Sequence, residues 1–74
     1  MRAEEFLIAT RAIHIELERL SRRVHEMAKF RCADPSNHAF MNLMERQAEL
    51  FDQLAELHDR AAEGFRNSAR APLV

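Results

Sequence analysis

Four histidines, one cysteine and many carboxylates are the side chains with capacity for chemistry in this 74-residue sequence. Paired across two helices, His14 and His58 fall in one layer, and two copies of the chain would then gather four imidazoles near an axis. Such a cluster is a metal site or a pH-responsive contact. Glu18, one helical turn after His14, could orient a ring or join as a ligand. The plainer expectation is that both rings pack at an interface with one nitrogen hydrogen-bonded, and on that expectation no metal and no cofactor is assigned. The Glu-x-x-His pairs of diiron bundles are missing, because Arg11, Arg22, Pro35 and Ala55 stand three residues before the histidines. Cys32 is the single cysteine, so no disulfide closes within the chain, and the scattered histidines give it no Cys/His cage.

Carboxylates crowd the second half at Glu45, Glu49, Asp52, Glu56, Asp59 and Glu63, but their spacing turns them mostly outward along a helix. Catalysis needs convergent groups in a cleft that excludes water. A chain this short, built from two helices, offers no such cleft, so no catalytic residue is assigned and the protein is read as a non-enzyme.

The elements that carry these side chains follow from length and pattern. Seventy-four residues hold one domain, at a size where a single core contributes only a few kcal/mol (roughly 3–5). Without disulfides or a structural metal, oligomerisation or a partner is the remaining source of stability. The opening Met1-Arg2-Ala3-Glu4-Glu5 lacks the apolar core of a signal peptide, and no run approaches the ~18 apolar residues of a membrane span. A cytoplasmic protein with no membrane insertion is the expectation. Residues 1–33 carry a net charge of +2 and residues 34–74 carry −3, which favours antiparallel pairing of the halves.

Phe6, Thr10, Ile13, Leu17, Leu20, Val24 and Met27 recur in steps of three and four, the seam of a heptad repeat, and place one helix over about 3–32. Counting Ile13 as a d position makes Leu17 an a position. A turn follows at about 33–37, where Asp34, or Ser36 in competition with it, is expected to cap the next helix and Pro35 suits a first helical turn. Phe40, Leu43, Gln47, Leu50, Leu54, Leu57, Ala61 and Gly64 then repeat the seam in a second helix over about 38–66, with a mobile tail over 67–74. Antiparallel pairing sets Ile13 by Leu57, Leu17 by Leu54, Leu20 by Leu50 and Met27 by Leu43. The fold class expected is all-α, an antiparallel two-helix hairpin of coiled-coil type, completed to a four-helix bundle or docked on a helical partner.

A hairpin buries only its a and d positions. The e positions are also largely apolar, with Leu7, His14, Ser21 and Ala28 on the first helix and Met44, Phe51, His58 and Phe65 on the second. They align as Leu7 with Phe65, His14 with His58, Ser21 with Phe51 and Ala28 with Met44. The g side carries Glu16, Arg23, Arg46, Gln53 and Arg60 and reads as solvated. Leu7, His14, Met44, Phe51, His58 and Phe65 are therefore the expected partner-binding residues. The partner is either a second copy in a homodimer or a different helical protein with a groove, and Met41, Met44 and Phe51, which adapt to irregular grooves, tilt slightly toward the latter. Arg11, Arg19, Arg22, Arg23, Lys29 and Arg31 make the first helix moderately basic, interleaved with Glu16, Glu18 and Glu26. That is far from the basic excess of a general nucleic-acid binder, although a dimer could present two such helices as a small RNA-binding face.

Asp34-Pro35-Ser36-Asn37 between two helices resembles the Asn-Pro-Ser-Asn turn of type III secretion needle subunits, with His38 where the needle turn has its second proline. Phe40, Leu43, Gln47, Ala48 and Leu50 resemble the second helix of the small hairpin co-chaperones that hold needle subunits with a tetratricopeptide-repeat partner. This likeness spans about residues 30–55 and implies a role in assembling a secretion apparatus. Separately, Leu57-His58-Asp59, Ala61, Glu63 and Arg66 are similar to part of the second helix of Rop-type hairpins, which implies the alternative of a homodimeric RNA-binding regulator. In that family the segment lies nearer the turn, and its RNA face is on the first helix, where this chain has no match.

Overall fold

The a/d periodicity produces two helices, α1 over Ala3–Lys29 and α2 over His38–Arg70, in a computed structural model that describes residues 2–70. No strand occurs among the described residues. The start of α1 lies against the end of α2, so the helices run antiparallel, as the fold class anticipates. The hairpin measures 62 × 18 × 12 Å, with a radius of gyration of 17.4 Å. A globular chain of this length would have a radius near 11 Å, so the molecule is a rod one helix thick.

Glu4 and Glu5 occupy the first turn of α1, where carboxylates complement the positive end of the helix dipole. The other end comes earlier than the apolar pattern suggests, at Lys29 rather than about residue 32. Arg31 takes a left-handed conformation at φ 58°. Its amide donates to the Ala28 carbonyl at 3.1 Å, and the Cys32 amide to the Met27 carbonyl at 2.7 Å. These two bonds form a Schellman cap, a stop that glycine usually supplies and that an arginine does not announce.

The connection also differs from its expected capping. The Asn37 amide donates to the Asp34 carbonyl at 2.8 Å, closing a β-turn with Pro35 at its second position, where a fixed φ suits it. The Asp34 carboxylate is occupied inside this turn, accepting from the Ser36 amide and hydroxyl, each at 2.8 Å. Asn37 caps α2 instead, its Oδ1 accepting from the amides of Ala39 at 3.0 Å and Phe40 at 3.2 Å. At the far end α2 passes through Gly64 and Arg66 and continues to Arg70, so the expected tail from 67 is helical for four more residues. The rest of that tail, 71–74, lies outside the described residues.

Ile13, Leu17 and Leu50 form the centre of the core, with Leu20, Leu54 and Leu57 packed against them. Every seam residue named from sequence is buried or half-buried. Thr10 is polar yet buried, and its hydroxyl is satisfied locally by donating to the Phe6 carbonyl at 2.9 Å. The pairing register differs from the sequence reading. Phe6 projects between His58 and Phe65, the neighbours of Ala61 one turn to either side, and Ala61 is only 2% exposed. Glu16 meets Arg46 across the helices. Each α1 residue therefore faces α2 about one turn nearer the connection than the predicted pairs. The reason is that a side chain of one helix inserts between side chains of the other, so that Phe6, a d residue, lies over Ala61, an a residue.

Candidate protein interaction face

The two flanks of the seam differ in kind. On the g side, the carboxylate of Glu16 accepts from Arg46 Nε at 3.0 Å and from its terminal nitrogen at 3.3 Å. Arg46 also donates to Glu49 at 3.0 Å. These hydrogen bonds, Glu16 first and then Glu49, raise the guanidinium's already high pKa. Arg60 pairs with Glu56 at 2.7 Å further along the same helix. This side is a charged, solvated edge closed by a bidentate bridge between the helices.

The e side has no such edge. Leu7 is 62% exposed, Phe51 57%, Phe65 43% and Met44 41%, all large and apolar. His14, Ala28 and His58 are exposed beside them, and Ser21 is half-buried. At the open end, Phe6 meets His58 edge-on with centroids 5.0 Å apart and planes at 87°, and meets Phe65 at 6.4 Å and 83°. Edge-to-face contacts put the positive rim of one ring against the negative face of another, and here they hold Phe65 and His58 in place on the surface.

The six residues expected to bind a partner thus share one side of the hairpin. Within that side the layers differ from expectation. His58 uses its ring on Phe6, and the register places it about one turn short of His14. Among the described residues no hydrogen bond joins the two imidazoles, and no group of three or more His, Cys, Asp or Glu is arranged to hold a metal ion. Surface depressions, such as the one lined by Glu18, Ser21, Arg22, His25, Glu26 and Lys29, are open grooves of mixed charge. On the basic helix, Arg22 is paired with Glu18 at 2.7 Å. No helix is long and apolar enough to cross a membrane among the described residues.

Sequence reasoning overlooked two features of this surface. Ile8 and Ile15, 72% and 47% exposed, sit seven residues apart at f positions of α1 and widen the apolar surface near its start. On α2 the b positions after Met41 are Ala48, Ala55, Ala62 and Ala69, all exposed. They interleave with Met44, Phe51, His58 and Phe65 in steps of three and four, so α2 carries a second complete seam. The seven-residue spacing was the available signal in both cases. Phe30, 77% exposed beside the connection, stands apart from the face.

No family model matches the chain, and no curated protein and no solved structure matches it.

Proposed function

We propose that this hairpin is a protein–protein interaction module that completes its core by packing its e side against further helices. The observation behind the reading is the contrast between a g side closed by the Glu16–Arg46 bridge and an e side exposing Leu7, Phe51, Phe65 and Met44. Solvent-accessible area gives the scale. The chain exposes 6198 Å², about 1,500 Å² more than the roughly 4,700 Å² expected of a globular protein of its 8.6 kDa mass. That excess is about twice the ~800 Å² that each partner gives up in a standard-size interface. The likeness of the Asp34–Asn37 turn and of the first half of α2 to secretion hairpins refines the proposal to an assembly factor or co-chaperone of a secretion apparatus.

Phe51→Asp and Arg23→Ala test the face, because they alter its two flanks separately. Placing a carboxylate at position 51 should abolish assembly and lower the melting temperature, since burying an unpaired charge is prohibitive. Arg23→Ala should leave both unchanged. Unaltered mass and stability in the Phe51 variant would remove the e side from consideration.

A further inference from the structure

Resting on the interaction reading above, we infer that the e side binds a second copy of this chain, with α1 of each copy against α2 of the other and both connections at the same end of a four-helix bundle.

Three observations support this arrangement. The first is angular. One residue step on an α-helix turns about 100°, so the second seam of α2 looks about 100° away from the seam that holds α1. That is close to the right angle between two neighbours of one helix in a square bundle. Exposed alanines alternating with large side chains let a neighbouring helix approach closely and interdigitate.

The second is complementarity of size and charge. In the register of the hairpin itself, in which Phe6 falls between His58 and Phe65, Phe51 of one copy falls between His14 and Ser21 of the other, and Met44 between Ser21 and Ala28. Along the rim, Arg11 comes between Asp52 and Asp59, and Glu4 between Asp59 and Arg66. Arg11, Asp52 and Asp59 are exposed, and none has an ion-pair partner within the hairpin among the described residues. The like-charged layer, Glu18 between Glu45 and Asp52, is relieved because Arg22 holds Glu18 at 2.7 Å. Packing α2 on α2 instead would set the acidic rim of Glu45, Asp52 and Asp59 against its own copy, which electrostatics disfavours.

The third is area. Two copies each hiding the excess of about 1,500 Å² would bury about 3,000 Å² in total, within the range of obligate homodimers.

Cys32 supplies the test, because it is exposed, lies in the connection and is the single cysteine. A nitroxide attached to it in the otherwise unaltered chain reports the distance between connections by pulsed electron paramagnetic resonance, alongside the mass from light scattering. With both connections at one end, and neighbouring helices about 8–10 Å apart, the labels should lie within about 35 Å. A dimer with labels near the 62 Å length of the rod would overturn this arrangement, and the interaction face would still stand if Phe51→Asp dissociates that dimer. A monomer would overturn self-association. A monomer whose stability ignores Phe51→Asp would overturn the interaction face as well. Charge exchange gives an independent readout. Arg11→Glu should weaken the dimer roughly threefold or more, and adding Asp59→Arg should restore it. Absence of rescue in the double variant would contradict the pairing of α1 with the second copy's α2.

Discussion

Phe6 and His58 meet edge-on across the two helices, ring centroids 5.0 Å apart and planes at 87°, so the first turns of α1 are fastened to the last third of α2. The same ring touches Phe65 and overlies the buried Ala61. Phe6→Leu keeps most of the apolar area and loses the aromatic geometry, and should cost about 0.5–1.5 kcal/mol in urea unfolding. Phe6→Ala should cost more, about 2–3 kcal/mol, because the half-buried side chain is lost as well.

Leu50 is 1% exposed and lies in the cluster with Ile13 and Leu17. Leu50→Ala should destabilise by about 2–5 kcal/mol. That is comparable with the whole stability expected of so small a core. The variant should lose most of its helical circular dichroism at 25 °C, and retention of full helicity with a wild-type urea midpoint would show that the a/d seam contributes little.

Arg31 pays a conformational cost in its left-handed position at φ 58°. Glycine reaches that region without a Cβ clash, and this gain exceeds its greater loss of backbone entropy on folding. Arg31→Gly should therefore stabilise by about 0.5–1 kcal/mol, read as a higher urea midpoint, while Arg31→Val should destabilise.

The Asp34 carboxyl is held below the usual carboxylate range, first by the Ser36 amide and then by its hydroxyl. A carboxyl with a depressed folded-state pKa adds stability above its unfolded value and loses it as pH falls through the folded value. The thermal midpoint should therefore decline in acid more steeply for wild type than for Asp34→Asn, which keeps an acceptor and does not titrate. Identical acid limbs for the two proteins would show that the Asp34 turn is not coupled to folding.

Heptad spacing made both helices and their buried seam legible, because a residue three or four places on lies on the same face whatever the partner. Register was less legible. Facing like heptad positions across the hairpin misplaced every layer by about one turn, since Phe6 inserts between His58 and Phe65 rather than meeting one residue. The end of α1 was hidden by an arginine in a position that glycine normally marks. Asp34, Ser36 and Asn37 all have capping side chains, and the choice among them depended on the β-turn that occupies Asp34 and leaves Asn37 free. The e stripe was visible in sequence, but Ile8 and Ile15 were not read because f positions ordinarily face water, and the alanines of α2 were passed over because small residues give no strong hydrophobic signal.

The solution mass of the purified wild-type chain, by light scattering at two protein concentrations, tests the completed core most directly. A species at twice the 8.6 kDa chain mass, converted to monomer by Phe51→Asp, is the expected result. A cooperatively folded 8.6 kDa monomer, unchanged in stability by Phe51→Asp, would contradict it.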